Sequence, residues 1–330
     1  MKHKAYFFLL LTAALSLIAF GCATPRITLI GDDSVPLKEY TLQGTEKGKV
    51  LVIPVKGKIS DDPKLGLLQE KPSLVQEFIS QLRKAEKDDQ IRAVILKIDS
   101  PGGSVTASDI LYHEIAEFKK RSGKKVVAAL MNTAASGGYY IALPADKIVA
   151  HPTTLTGSIG VIFLQPKVTG LMEKIGVGVD VNKSGKNKDM GSWFRPTTAE
   201  EKKLMQALTD RLGQRFLKLV QQNRELNKKT LTEIATARVY LAEDALQLKL
   251  VDQIGYLGDA IATAKDLAGL PPDARVVVYR RVQYPNDNLY NPRTSWQGGR
   301  RLTLMDLELP VSMRDLGTGF YYLWPSALGE

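Results

Sequence analysis

Three short turns rich in small residues follow predicted strands and hold the residues that could do chemistry. The first is Asp99–Ser104 (DSPGGS), and the second is Met131–Tyr140 (MNTAASGGYY). The third is the basic loop Lys183–Asp189 (KSGKNKD). Sites in open α/β sheets form at the carboxyl ends of strands. These turns are therefore candidate parts of one site.

The paired glycines of the first turn can present bare backbone N–H groups at the start of a helix, where such groups stabilise an anion. The chain has no G-x-x-x-x-G-K-[ST] pattern and no spaced G-x-G-x-x-G pattern that would favour phosphate. The oxyanion formed during acyl transfer is the other candidate. An ordinary strand-to-helix turn would have the same composition.

Ser136 lies among alanines and glycines, so its hydroxyl is uncrowded and could act as a nucleophile; a helix N-cap is the alternative. A nucleophilic serine needs a base, yet neither His113 nor His151 lies in a triad setting. A lysine can serve if it is neutral, which requires its ordinary pKa of about 10.4 to fall by about 3 through burial. The carboxylate of Asp189, in the same basic loop, would favour the charged form of a lysine there and so oppose the lowered pKa. We therefore expect Asp189 to face away from the site.

Composition limits the function classes. The 330 residues carry 45 basic and 35 acidic side chains, and the net charge of +10 is spread along the chain. Without a concentrated basic patch, we expect no nucleic-acid partner. The chain's one cysteine excludes an internal disulfide framework and a cysteine-rich metal site. No cofactor or metal is implied.

The N-terminal segment 1–22 is typical of an export signal: Lys2 and Lys4 precede an uncharged run that ends at Cys22. We expect Cys22 to be lipidated, with an uncleaved membrane anchor as the alternative. Either arrangement holds the body at a membrane in the cell envelope, outside the cytoplasm. Residues 23–48 are predicted to be a spacer.

Strand and helix patterns alternate from residue 49 onward, which predicts an α/β fold with mostly parallel pairing. Thr198 and Glu201 form a capping-box pattern before a long amphipathic helix. Shorter helices and a strand at 275–279 follow, and the last 50 residues are predicted to be an extended tail. The predicted strands are 49–55, 91–98, 125–131, 147–150, 159–164 and 177–182. The predicted helices before Thr198 are 73–87, 104–121, 138–143 and 167–175.

Several separated stretches of the chain resemble, in order, the short form of bacterial signal peptide peptidase, SppA, a family of membrane-bound serine proteases with a Ser/Lys dyad. The stretches are KIDSPGGSVTAS at 97–108, AASGGYYIALPADKIVA at 134–150, TGSIGV at 156–161, KSGKNKD at 183–189, FRPTTAEE at 194–201 and ARVYLAEDALQLKLVDQIG at 237–255. The resemblance covers about 49–270, which we take as the protease domain, and leaves 271–330 as a C-terminal strand and tail.

The resemblance implies a role for each matching residue. Ser136 matches the nucleophile and Lys188 matches the general base. Gly103 matches the oxyanion-hole glycine, and the N–H of Gly137 is the natural second donor. Ser158 matches a serine that hydrogen-bonds the catalytic lysine.

The resemblance also implies a ClpP/crotonase-like fold of repeated β-β-α units with C-terminal helices. It implies a homo-octamer in which neighbouring subunits share each site, and substrates that are remnant signal peptides and other unfolded apolar peptides, bound in small apolar pockets. Two alternatives stay open from the residues alone. One is a crotonase-like acyl-CoA enzyme, and the other is a catalytically silent lipoprotein.

Overall fold

The computed structural model describes residues 35–65, 70–291 and 318–327. The proposed lipidation site at Cys22 and the signal segment 1–22 lie outside the described residues. Among the helices of the described parts, none has the length and apolar character needed to cross a membrane.

The strands are numbered in chain order. They are β1 (Lys38–Gln43), β2 (Glu46–Lys56), β3 (Lys64–Leu65), β4 (Glu70–Lys71), β5 (Ile91–Ser100), β6 (Gly102–Ser104), β7 (Lys125–Ala135), β8 (Lys147–Ala150), β9 (Leu155–Gly157), β10 (Ile162–Leu164), β11 (Val239–Leu241), β12 (Gln253–Ile254), β13 (Ala274–Arg280) and β14 (Gly319–Leu323).

The helices are numbered in the same way. They are α1 (Leu74–Glu86), α2 (Val105–Ser122), α3 (Gly137–Tyr140), α4 (Thr169–Ile175), α5 (Ala199–Asn223), α6 (Lys228–Ile234), α7 (Ala242–Gln247) and α8 (Leu257–Leu267). A 3-10 turn at Pro325–Ala327 follows β14.

The central sheet has nine strands, with the order β1-β13-β2-β5-β7-β8-β12 and with β9 and β11 attached beside β7. The strands from β13 to β12 pair in parallel, whereas β1 and β11 each pair with a neighbour antiparallel. This topology confirms the predicted α/β class with a mostly parallel sheet. A second, antiparallel sheet has the order β10-β14-β6.

Both faces of the central sheet are covered, which explains why its strands are almost continuously apolar. On β2, Leu51 and Ile53 face a cluster that includes Phe118 of α2. The alternate residues of the same strand, such as Val52, face a second cluster that includes Ile261 of α8. The side-chain period of two therefore sends neighbouring residues to opposite cores.

Helix starts follow the predicted capping residues. Thr198 and Glu201 form the predicted capping box at α5, and the structure shows a further capping box of Ser73 and Gln76 at α1. The hydroxyl of Ser104 accepts a hydrogen bond from the N–H of Ala107 at the start of α2. These caps satisfy backbone donors that have no acceptor inside the helix.

Some element predictions are wrong. Residues 177–182 form no strand, although Val177, Val179 and Val181 alternate with small or polar residues. A strand requires a partner, and no strand of the described chain pairs with this segment. Strand β1 lies within the predicted spacer and pairs with β13. Strand β14 lies within the predicted tail.

Candidate active site

Ser136 stands at the sharp turn between β7 and α3. Its φ of 51° and ψ of −114° are unusual for a residue with a side chain, and such backbone conformations persist only where the surrounding structure enforces them. Its N–H donates to the carbonyl of Gly157 at 2.7 Å, and its own carbonyl accepts from the N–H of Tyr140 at 2.8 Å. Hydrogen bonds to strand β9 and to helix α3 therefore fix the serine in this conformation.

The hydroxyl of Ser136 is buried and has no hydrogen-bond partner among the residues that the structure describes; the residue is 1% exposed. Buried polar atoms are nearly always hydrogen-bonded because an unpaired one carries its full desolvation cost. An unpaired buried hydroxyl is consistent with a group that waits for a partner from outside the chain. The N-cap alternative fails, because the Ser136 side chain makes no capping hydrogen bond.

The strand that carries the predicted Gly103 lies against the turn that holds Ser136 and Gly137. A Cβ on Gly103 would sit 1.8 Å from the carbonyl oxygen of Ile59, so the close approach of these two backbones requires glycine. Gly102 has a φ of +100°, and the point where its Cβ would lie is 2.7 Å from the amide nitrogen of Gly137. The strand β6 is thus in contact with the first residue of α3, whose N–H has no acceptor inside the helix.

Ser158 lies beside Ser136. The register between β7 and β9 pairs Ala135 with Gly157, so Ser136 and Ser158 are the next residues on two parallel strands. Ser158 also has a positive φ, 50°, and its N–H donates to the carbonyl of Arg238 at 2.9 Å. Two buried serines in strained conformations therefore lie next to each other at the carboxyl ends of adjacent strands.

Lys188 is exposed and forms no hydrogen bond with the Ser136 hydroxyl. It lies in a turn in which its N–H donates to the carbonyl of Gly185 at 3.1 Å. The single chain therefore brings Ser136, Ser158, Gly103 and Gly137 together and leaves the predicted base outside the group.

Ion pairs among Lys183, Asp189, Arg195 and Glu201 fix the loop that carries Lys188. Sequence patterns alone assign no role to Arg195 in this group. The Arg195 guanidinium donates to both carboxylate oxygens of Asp189 at 2.8 Å and also binds Glu201 at the start of α5. Lys183 binds Asp189 at 2.8 Å from the other side. Asp189 is thus directed at Arg195 and Lys183.

The charges in this group shift each other's pKa values. The hydrogen bond from Arg195 lowers the pKa of Glu201 from 4.5 to about 2. Hydrogen bonds from Arg195 and Lys183 hold the pKa of Asp189 well below its usual range. In the sequence, Arg195 and Glu201 of this ion-pair group both lie in the FRPTTAEE stretch. The capping-box pattern of that stretch predicts the helix start but not the ion pair of Arg195.

Neither His113 nor His151 takes part in this arrangement. The ring of His151 binds the hydroxyl of Thr153 at 2.9 Å and packs edge-on against Tyr256 at 5.0 Å between centroids. His113 is exposed on α2. The structure agrees with the sequence-based view that neither histidine belongs to a catalytic triad.

Comparison with known proteins adds a family to this geometry. Residues 118–271 match the model of Peptidase family S49, and residues 49–170 match that of NfeD1b, N-terminal domain. A protein of Enterococcus faecium described as a candidate signal peptide peptidase SppA is 36% identical over 81% of this chain and 78% of its own length. Protease 4 of Haemophilus influenzae is 34% identical over 73% of this chain but only 38% of that longer protein.

Among solved structures, a match is found with a lysine-to-alanine mutant of the 1510-N membrane-bound stomatin-specific protease in complex with a substrate peptide. It is 19% identical, with a TM-score of 0.42, and the match covers 71% of this chain and 92% of that one.

An α/β protein with these relatives, and with a strained, buried serine beside glycine amides, is a serine peptidase. The chain belongs to peptidase family S49. This membership decides between the peptidase and the acyl-CoA alternative, in favour of the peptidase.

Proposed function

We propose that this serine peptidase is an endopeptidase that cuts apolar, unfolded peptides at a membrane, remnant signal peptides among them. Ser136 is the nucleophile and Lys188 is the general base. The N–H groups of Gly103 and Gly137 form the oxyanion hole, and Ser158 orients the lysine. The observation that carries this proposal is the Ser136 hydroxyl, which is buried, strained and unpaired among the described residues.

Lys188 would come from a neighbouring subunit of a homo-oligomer, an octamer by resemblance. Support comes from the segment around it, where large apolar side chains are exposed to solvent, among them Leu171, Ile175, Val177, Val179, Val181 and Phe194. Exposed apolar groups of this extent mark an interaction surface. An interface that covers this segment would also take water away from Lys188, which favours the neutral amine.

The proposed reaction is acyl transfer in two stages. The neutral amine of Lys188 takes the proton of the Ser136 hydroxyl as its oxygen attacks the substrate carbonyl. The N–H groups of Gly103 and Gly137 stabilise the resulting oxyanion, and the lysine then returns the proton to the leaving amine. Water, activated by the same lysine, attacks the acyl-enzyme and releases Ser136.

The substrate class and the location rest on resemblance. The Enterococcus faecium relative is described as a candidate signal peptide peptidase, and such substrates are apolar segments left in a membrane. Lipidation at Cys22, or an uncleaved anchor, would hold the body in the cell envelope near them.

The test is cleavage of a fluorogenic apolar peptide by the body, with Ser136→Ala and Lys188→Ala beside it. We expect each variant to lose about 10³-fold or more in kcat/KM. The matched control is Lys186→Ala, because Lys186 is an exposed lysine of the same loop that pairs with Glu200. This control should retain nearly full activity.

A mixing arm tests whether sites are shared. Subunits of Ser136→Ala and Lys188→Ala, dissociated and reassembled together, should regain activity because some sites combine an intact serine with an intact lysine. With equal subunits, roughly a quarter of the sites are intact. Full activity of Lys188→Ala alone would overturn the lysine base, and no recovery on mixing would overturn the shared site.

A further inference from the structure

Ser100 lies at the end of β5, between the two turns that build the candidate site. It pairs with Ala134 of β7, two residues before Ser136. The carbonyl of Ser100 packs against the same turn, since a Cβ on Gly138 would lie 2.5 Å from its oxygen. The side chain of Ser100 is wholly buried. Its hydroxyl makes two hydrogen bonds, and both reach the backbone that shapes the proposed oxyanion hole.

The Ser100 hydroxyl joins two separate pieces of backbone. It donates to the carbonyl of Gly57, in the loop after β2, at 2.7 Å. It also accepts from the N–H of Gly102 at 3.1 Å. A serine side chain that accepts from the N–H two residues further on closes a tight turn. The hydroxyl thus fixes the turn at Pro101 and Gly102 and ties this turn to the loop at Gly57.

The loop at Gly57 continues to Ile59, which binds the other side of Gly102. The N–H of Ile59 donates to the carbonyl of Gly102 at 2.9 Å, and the carbonyl of Ile59 accepts from the N–H of Ser104 at 3.0 Å. The carbonyl of Gly102 and the N–H of Gly103 belong to one peptide unit, which is planar and trans. The N–H of Gly103 therefore points away from Ile59.

This peptide unit needs support because it lies between two glycines. Glycine has no Cβ to restrict rotation on either side of the unit. Gly102 has a φ of +100°, a conformation that residues with side chains rarely adopt. Such a unit can rotate and turn its N–H away unless hydrogen bonds hold it. Ser100 holds the N–H of Gly102 directly, and it holds the Ile59 segment through Gly57.

We propose that Ser100 is a positioning residue of this peptidase, whose hydroxyl holds the Gly102–Gly103 peptide so that the Gly103 N–H faces the oxyanion. Ser100 acts through Gly102 and Gly57 and has no part in the bond changes themselves. The inference rests on the proposed function, because it takes Gly103 as an oxyanion donor. It deepens that function by assigning the orientation of the donor to one side chain.

The first test compares full-length Ser100→Ala with the native chain on a fluorogenic apolar peptide. The oxyanion forms only as the reaction proceeds, so a misdirected donor should lower kcat and leave substrate binding alone. We expect kcat to fall roughly 10- to 100-fold, less than the loss of a whole donor can cause, and KM to stay within about twofold.

Ser122→Ala is the matched control. Ser122 ends α2, and its hydroxyl donates to the carbonyl of Phe118 at 2.7 Å and accepts from the N–H of Lys124 at 3.2 Å. The variant therefore loses the same two kinds of hydrogen bond, including the one from two residues further on, at the end of α2 remote from Ser104. It should keep the native kcat and KM. An equal fall in kcat in both variants would assign the effect to general stability and overturn the positioning role.

A peptide aldehyde and the matching peptide alcohol separate oxyanion stabilisation from peptide binding. The Ser136 oxygen adds to the aldehyde carbon, the carbonyl oxygen becomes the oxyanion of a hemiacetal, and the serine proton passes to Lys188. The alcohol has no carbonyl and cannot undergo this addition. Ser100→Ala should raise the inhibition constant of the aldehyde roughly 10- to 100-fold and leave that of the alcohol within about twofold. Equal changes for the two inhibitors would contradict the proposal.

Ser100→Cys keeps the proposal testable if Ser100→Ala does not fold. Its thiol fills the same position but is a weak donor and acceptor. We expect kcat to fall again and KM to stay unchanged, and the aldehyde should lose affinity while the alcohol does not.

The outcomes separate this inference from the proposed catalytic roles. If Ser136→Ala is inactive but the Ser100 variants keep the native kcat, the positioning role is wrong and the catalytic serine stands. If Ser136→Ala keeps full activity, the proposed function is wrong and the positioning role fails with it.

Discussion

At the scale of single residues, the candidate site is defined by backbone conformations that side chains normally avoid. Ser136 and Ser158, at the ends of adjacent strands, both have φ values near +50°. Positions of this kind cost of order 1–3 kcal/mol each. The fold maintains this strain at the point where a nucleophile would have to project from the sheet, which favours a catalytic role over a structural one.

A glycine at position 136 should therefore give a more stable protein than an alanine at the same position. Replacing alanine by glycine usually lowers stability by about 0.5–1 kcal/mol, but Ser136→Gly should be more stable than Ser136→Ala by about 1 kcal/mol, because only glycine adopts φ 51° and ψ −114° without strain. Urea unfolding at equal m-values measures the difference.

The matched pair for this comparison is at the preceding residue. Ala135 ends strand β7 and is not among the residues with positive φ, so Ala135→Gly should show the usual loss. A Ser136→Gly variant less stable than Ser136→Ala would mean that the serine turn is unstrained.

At the scale of elements, helix α5 contacts both the side chain of Tyr322 and the loop of Lys188. Its N-terminus carries Glu201, which binds Arg195, and Arg195 binds Asp189 beside Lys188. Further along, Leu212 and Phe216 line the pocket that holds Tyr322. This one helix therefore contacts both the aromatic ring of Tyr322 and the ion-pair group beside Lys188.

The Glu201 contact predicts acid sensitivity. Because the pKa of Glu201 falls from 4.5 to about 2 on folding, its ion pair contributes stability that is complete above pH 4.5 and is lost as the pH falls toward 2. Unfolding free energy should therefore decline less steeply over this window in Glu201→Gln than in the native chain. Denaturant unfolding at several pH values measures these slopes.

Arg195 supplies the control for this effect, since its hydrogen bond is the largest cause of the lowered pKa. Arg195→Met should reduce the slope of the unfolding free energy with pH over the same window. Combining it with Glu201→Gln should reduce that slope little further. Additive effects of the two substitutions would contradict the assigned cause.

At the scale of the whole molecule, the described chain has a well-covered sheet and one poorly covered region. Both faces of the central sheet are packed, whereas the segment from Leu171 to Phe194 exposes valines and aromatic residues. Leu204 and Leu208 of α5 are exposed as well, although Phe216 and Val220 of the same helix are buried. The uncovered apolar side chains thus occur mainly near Lys188 in the sequence.

A charge placed in this region should prevent assembly. Val179 is 49% exposed, and Val179→Asp should lower the mass of the particle in sedimentation and reduce peptidase activity, because an interface would bury the carboxylate without a partner. Leu246→Asp is the control, since Leu246 is an exposed apolar residue outside the segment. Equal masses for both variants and the native protein would exclude this segment from the interface.

The sequence by itself predicted the central strands, several helices and a tight turn at Ser136. Apolar runs predicted the central strands because parallel strands are buried on both faces, and the capping-box pattern of Thr198 and Glu201 predicted the start of α5. Small residues around Ser136 indicated a turn with close backbone packing, because larger side chains would not fit there. These features are local, so a single sequence reveals them.

Only the tertiary structure decided which distant segments meet. The serine pair at 136 and 158 and the pairing of Tyr322 with Gly103 join residues through strand pairing that no local pattern encodes. The predicted strand at 177–182 fails for the same reason: alternation creates a potential strand, but a strand forms only where another backbone satisfies its hydrogen bonds. Strand β14 finds such partners in β6 and β10 and is ordered against the candidate site.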